Sequence, residues 1–264
     1  MPIGDFEREV LRVIAANRNP DSFVAGATVL HQSSDSPRAS RDVDVFHDTI
    51  ESLIQSAQAD TSALQAAGFT VEPGRAQETF QRAMISRAGR RTKVEWVFDS
   101  AFRFFPIEPD PELGWRLNFW DAATNKTLAF FGRHEFRDFV DVHYLHFHHL
   151  HLGALIWAAS GKDPGLTPEL MLDWMKRQAF YTSEQVKEVQ VRQPLDLVQM
   201  RRAWLIMGAE VEALLAKLPP EEKGCLYLNA AGQPVCPDPA TPEFQKLTRH
   251  FGSVKGAWPR IVEE

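Results

Sequence analysis

Residues 42–47 of this 264-residue chain read Asp-Val-Asp-Val-Phe-His. Such alternation of charged and apolar side chains is the signature of a half-buried β-strand. In that strand Asp42 and Asp44 point to one face, with Cα atoms about 6.5 Å apart, while Val43 and Val45 point into a core. Held about 5 Å apart at an effective dielectric near 20, two carboxylates repel by about 3 kcal/mol. The pair therefore calls for a positive partner on the same face.

The chain around this strand reads as an α/β (α+β) protein. Phe6, Val10, Leu11, Val13 and Ile14 recur at helical spacing over residues 5–17, and Asn19-Pro20-Asp21 ends that helix. A short apolar approach, Gly26 and the start of another helix follow over residues 22–32. Residues 48–69 form a long amphipathic helix stopped by Gly68. Residues 69–74, 78–89 and 91–99 read as successive strands, the last two joined as a hairpin at Ala88-Gly89-Arg90. From Trp120 the pattern becomes helical: 121–131, 135–160, 167–178, 183–190 and 196–218. We expect a small mixed-sheet core domain over residues 1–120 and an all-helical C-terminal domain over 121–264. The role of the Pro- and Gly-rich tail from about residue 219 is open.

Hydrophobic residues make up 44% and charged residues 24%, the balance of an ordinary globular protein. No run approaches 18 apolar residues, and the N-terminus is charged and amphipathic rather than signal-like, so a cytoplasmic chain without a membrane partner is expected. Cys225 and Cys236 have no CxxC pattern or neighbouring histidines, and read as reduced bystanders. The net charge of −6 does not imply a broad electrostatic grip on nucleic acid. Any such partner needs a local patch, for which Arg87, Arg90, Arg91 and Lys93 around Gly89 are the first candidates, although a solvated hairpin tip is the preferred explanation of them.

Three polar features ask for chemistry. On the strand ending at Phe98, Val94, Trp96 and Phe98 alternate with Lys93, Glu95 and Val97, so Glu95 projects away from the aromatic face; Asp99 is its competitor. If that strand lies beside the Asp42/Asp44 strand, three carboxylates converge, which suits one or two hard divalent cations such as Mg²⁺. Gly26, sixteen residues before Asp42, allows a backbone turn to approach a triphosphate. A second cluster holds Lys126, Arg133 and Arg137, with Asp138 and Asp141 at i and i+3 of one helix; its plain alternative is a surface salt-bridge ladder. His143, His146, His148, His149 and His151 crowd nine residues, but no Cys, Asp or Glu lies among them. Covering a packed helix surface is the expected role, ahead of zinc binding.

The order of these motifs resembles the AbiEii/MenT-type nucleotidyltransferase toxins of the polymerase-β-like superfamily. The elements that match are Gly26, then Arg38-Ala39-Ser40-Arg41-Asp42-Val43-Asp44, a strand acid at Glu95, Lys126, Arg133, and Arg137-Asp138-Phe139-Val140-Asp141. The resemblance spans residues 24–145. Ala27 departs from it, since the family places a second Gly or a Ser there; Thr28 is the nearest hydroxyl that could substitute.

The resemblance implies Mg²⁺-dependent transfer of NMP from an NTP to a hydroxyl, with pyrophosphate released. It assigns Asp42, Asp44, Glu95, Lys126 and Asp141 to catalysis, with Asp42, Asp44 and Glu95 on the metal. Gly26, Ala27, Thr28, Arg38, Ser40, Lys126, Arg133, Arg137 and Asp138 are assigned to the nucleotide. It further implies an RNA or tRNA acceptor and a toxin countered by a separate antitoxin protein. Two other readings stand beside it: a transferase acting on a small antibiotic-type hydroxyl, and a catalytically dead fold serving as a binding module.

Overall fold

The structure, a computed structural model, describes residues 3–33, 36–40, 42–177, 181–187, 189, 191–192 and 194–259. Arg41 of the motif, and Gln178, Glu188 and Gln190 at the ends of two expected helices, lie outside the described residues. The chain divides into two compact units: Met1–Ala101 with Pro106–Ala122, and Phe102–Phe105 with Ala123–Glu264.

In the first unit the elements run α1 (Asp5–Ile14), β1 (Ser22–Val24), α2 (Gly26–Leu30), β2 (Asp42–His47), α3 (Ile50–Ala66), β3 (Thr70–Gln77), β4 (Phe80–Arg87) and β5 (Arg90–Phe98). After β6 (Phe102–Arg103), which belongs to the second unit, come β7 (Glu108–Asp110) and β8 (Gly114–Arg116). Seven strands form one mixed sheet in the order β3-β4-β5-β2-β1-β8-β7. β2 runs parallel to β5 and β1 parallel to β8, and the other pairs are antiparallel.

The alternation read from the sequence sets this sheet's two faces. Val43, Val45, Val94 and Trp96 are buried on one side with Phe6, Val10, Leu11 and Ile14 of α1 and Leu53, Ala57 and Leu64 of α3. Each such large apolar side chain stabilises the fold by about 1.5–3 kcal/mol when fully buried. α3 starts where Thr49 caps it, its hydroxyl accepting from the Ser52 N–H at 3.0 Å. β4 and β5 meet in a two-residue turn whose residues Ala88 and Gly89 both have positive φ, the type I′ geometry that matches strand twist. β3 runs on past Gly74, where the sequence pattern suggested a stop, because a register shift between Pro73 and Ala76 lets the pairing resume.

Under the same sheet lies a buried polar network. Arg18 and Asp60 form an ion pair with both side chains fully buried. The Asp60 carboxylate also accepts from the Trp96 indole at 2.8 Å and the Asn17 amide at 2.9 Å. Arg18 donates in addition to the Ser22 hydroxyl (2.8 Å) and the Ile14 carbonyl (3.2 Å). His47 completes the network, one ring nitrogen at the Ser22 hydroxyl and the other at the Val97 carbonyl.

In the second unit α4 (Phe119–Arg133, its residues from Ala123), α5 (Phe136–His148), α6 (Leu152–Ala159), α7 (Pro168–Arg177), α8 (Ser183–Lys187) and α9 (Leu197–Leu215) precede β9 (Cys225–Leu228), β10 (Thr248–Phe251) and β11 (Ser253–Val254). Two expectations are corrected here. The unit is not all-helical: β9 pairs with β10, and β11 pairs with β6. Cys225, Leu226, Tyr227 and Leu228 are all buried, so β9 is a buried apolar strand with no alternation to reveal it. The helix expected over 135–160 is two helices. The His146 and His151 rings accept the N–H groups of Leu152 and Gly153, both at 3.1 Å, and so start a new helix where the periodicity suggested none. The tail packs, with Trp157, Leu218, Cys225, Tyr227 and Phe244 in one cluster. Among the described residues no helix is long and apolar enough to cross a membrane.

Candidate active site

Register decides what β2 and β5 can do together. Asp42 stands opposite Lys93 and Asp44 opposite Glu95, while Arg82 of β4 stands opposite Glu95 on the other side. Because paired residues share a face, Asp42, Asp44, Glu95, Lys93 and Arg82 all lie on the side of the sheet away from the Val43/Trp96 core. Adjacent strands are about 4.8 Å apart, so the Asp44 and Glu95 carboxyls rise from neighbouring positions.

The positive partner demanded by the aspartate pair is Lys93, whose Nζ is 3.0 Å from Asp42 Oδ2. Glu95 is held by Arg82, whose Nε and Nη2 reach the same oxygen Oε1 at 2.8 and 2.6 Å. The Arg82 guanidinium also sits 5.3 Å above the Phe80 ring. That Lys93 shares the face of Glu95 was readable, since it stands two residues before it on the strand; that it answers Asp42 follows only from the β2–β5 register. Arg82 was not readable, because only the β4–β5 register brings it there.

Gly26 has φ +66°, and a Cβ built on it would lie 2.4 Å from Asp44 Oδ2. The Ala25 N–H donates to the Asp44 carbonyl at 3.0 Å. The turn therefore brings bare backbone against one carboxylate of the row. The helix it opens, α2, has only five residues. Ala27 is buried. The Thr28 and Ser40 hydroxyls are buried too and turn inward: Thr28 donates to Ser40 Oγ (3.4 Å), and Ser40 to the Asp42 carbonyl (2.9 Å). Arg38 is buried, with Nη1 at 3.4 Å from the Ala39 carbonyl. Asp99 accepts from the Ser100 N–H beyond the end of β5.

In the second unit Lys126, Arg133, Asp138 and Asp141 come together. Lys126 Nζ lies 2.8 Å from Asp138 Oδ1 and 3.1 Å from Asp141 Oδ2. Arg133 adds two bonds to Asp138, at 2.6 and 3.0 Å. Both carboxylates are fully buried, which rules out the exposed salt-bridge ladder. Burial pushes the Asp138 carboxyl up, but the charges and hydrogen bonds of Lys126 and Arg133 outweigh it and hold the group below its usual range. Arg137 turns to Glu135 instead.

His146, His151 and Glu210 have donor atoms within 4.8 Å of one another, the carboxylate arriving from α9. The rings do not suit a metal. Each accepts a backbone N–H at Nδ1, so in the neutral form each carries its proton on Nε2, the atom facing Glu210 at 3.7 and 3.8 Å. A metal on Nε2 would need the proton at Nδ1, against two backbone donors.

No family model and no curated protein matches this sequence. Solved structures do. JHP933 from Helicobacter pylori superposes with a TM-score of 0.50 at 20% identity, covering 79% of this chain and 91% of that one. A second H. pylori structure, described as a candidate nucleotidyltransferase, also gives 0.50 at 20% identity, over 81% of this chain and 97% of that one. The chain therefore has a nucleotidyltransferase fold, the mixed α/β fold that the motif resemblance implied. MenT4, a nucleotidyltransferase toxin from Mycobacterium tuberculosis, superposes at 0.49 and 15% identity, over 82% of this chain and 83% of that one.

Proposed function

We propose that this protein is a nucleotidyltransferase that uses Asp42 and Asp44 to hold Mg²⁺ and moves NMP from an NTP to a hydroxyl acceptor. The observation that carries this reading is the carboxylate row on a nucleotidyltransferase-type sheet, with Gly26 backbone pressed against Asp44. The donor set fits the ion: carboxylate oxygens at i and i+2 of one strand, half-buried. When bound, magnesium neutralises phosphate charge and acidifies the attacking hydroxyl. The acceptor oxygen bonds to the α-phosphorus as the bond to the β-phosphate breaks, and pyrophosphate leaves. Glu95 is the neighbouring carboxylate for the third ligand or the proton. Gly26 offers backbone to the phosphates.

Lys126, Arg133 and Arg137 as triphosphate cations, and the helical unit as the part completing the site, rest on the motif resemblance. Asp138 and Asp141 are suited to fixing the Lys126 amine, each lying within ion-pair distance of it. The same resemblance carries the RNA or tRNA acceptor and the toxin role with a separate antitoxin.

One observation favours a small-molecule acceptor. Four of the cations that could line an RNA groove are engaged locally: Arg87 and Arg90 by Glu9, Lys176 by Glu212, Arg177 by Asp173. Incubation with each α-³²P NTP, Mg²⁺ and total tRNA, beside an Asp44→Ala control, tests both readings. Label on RNA that the variant lacks supports an RNA acceptor. Pyrophosphate release only with added aminoglycoside-type polyols supports the small-molecule acceptor, and neither product from any NTP overturns the transferase reading.

A further inference from the structure

We propose that the face of β3–β5 beside the carboxylate row holds a single-stranded nucleic-acid acceptor, one of its bases stacked on the group formed by Arg75, Phe80 and Arg82. This rests on the transferase reading above and names the acceptor class and the residues that grip it.

Register builds the group. Arg82 of β4 stands opposite Glu95, and Phe80 stands opposite Val97 of β5 and Gln77 of β3. These residues share the face of Asp42 and Asp44, while Ala83, Ile85, Val94 and Trp96 fill the core behind them. Beyond its register shift β3 resumes pairing at Ala76, opposite Gln81, so that Arg75 returns to the Phe80 face. The guanidinium carbons of Arg75 and Arg82 lie 5.9 and 5.3 Å from the centre of the Phe80 ring. Each strand step is about 4.8 Å, so β4 and β3 lie about 10 and 14 Å across the sheet from Asp44. The reacting nucleoside fits between, with its neighbour in the strand on the Phe80 group.

The chemistry of the group selects its ligand. A half-buried aromatic ring and guanidinium planes are surfaces on which any base stacks, and a guanidinium fork pairs with phosphate. Arg82 is engaged by Glu95. Arg75 is exposed and, among the described residues, has no ion-pair partner; its contact is the Phe80 ring. Arg91, on the same face of β5 as Lys93 and Glu95, is a second exposed cation of this kind. Glu72, opposite Met84 at the sheet edge, is the remaining acid on this face of the three strands. Aminoglycoside-type polyols are cationic and gain nothing from such a surface.

Fluorescence anisotropy of a short labelled single-stranded RNA, titrated with the full chain, tests this, with urea midpoints showing that each variant is folded. Phe80→Ala is expected to weaken binding about tenfold, and Phe80→Tyr to retain it. Arg75→Gln, at an exposed position that keeps the test open if Phe80→Ala does not fold, should weaken binding several-fold. It should also lower the slope of log K against log salt by about 0.7. Arg90→Gln is the control, since Arg90 lies on the other face with Glu9 and Phe6, and should leave binding unchanged. No RNA bound, full affinity in Phe80→Ala, or equal losses in Arg75→Gln and Arg90→Gln would each overturn the inference while leaving the transferase reading in place. RNA bound through Phe80 with no pyrophosphate released from any NTP would overturn the transferase reading, and the acceptor role with it.

Discussion

Gly26 and Asp44 occupy the space of one ordinary contact: the missing Cβ of the glycine would fall 2.4 Å from Asp44 Oδ2, at a backbone φ of +66°. Gly26→Ala must therefore push the carboxylate aside and also strain the backbone, the latter by about 1–2 kcal/mol. We expect a lower urea midpoint and at least about a tenfold loss of Mn²⁺ affinity, about 1.4 kcal/mol. Unchanged metal affinity would show that the approach is incidental.

Asp44→Asn keeps the shape of the side chain and removes its charge. Transfer of label is expected to fall by at least about 100-fold, with a urea midpoint close to that of the unaltered protein. An active Asp44→Asn would remove the carboxylate row from the chemistry.

Lys126 is held between two buried carboxylates, so its loss leaves charge behind. Lys126→Met is expected to cost about 3–5 kcal/mol in urea unfolding. Lys126→Met/Asp138→Asn should recover part of that, because the double variant buries one charge fewer. Additive costs in the cycle would contradict the ion-pair account.

Arg18 and Asp60 make the same argument beneath the sheet. Arg18→Met strands the Asp60 carboxylate beside Trp96 and Asn17, and should destabilise by about 3–5 kcal/mol. Its effect on metal binding, measured on the fraction still folded, should be small, because the network lies on the face opposite the row.

Stability should fall in mild acid. Burial lowers His47, His143 and His146 to about 4 from a usual value of 6.5. The unfolded chain therefore takes up more protons between pH 6.5 and 4, and stability present above pH 6.5 is lost as the pH falls through that window. For His47, fully enclosed by the Arg18 network, the loss amounts to at most about 3 kcal/mol. His47→Gln should flatten part of the pH profile of the urea midpoint; an identical slope would show that His47 does not contribute.

Much of this protein is legible along the chain, because periodicity and local chemistry are properties of neighbouring residues. The alternation at 42–47 placed Asp42 and Asp44 on one face, the same reasoning placed Glu95, and Ala88-Gly89 marked the hairpin turn. What failed was also local in cause. β9 is apolar on both faces and carries no alternation, so the part played by the tail stayed open. The helix at 135–160 breaks because histidine rings accept backbone N–H groups, a bond that periodicity does not register.

Partnership was decided elsewhere. The sequence by itself determined the faces of the strands, the identity of the acids and the nucleotidyltransferase-like order of its motifs. Only the tertiary structure decided that Arg82 clamps Glu95, that Lys93 answers Asp42, that Glu210 meets the histidines, and that Asp138 and Asp141 are buried against Lys126. Each of these depends on strand register or helix packing, which are settled by what the whole core can bury rather than by any residue and its neighbours in the chain.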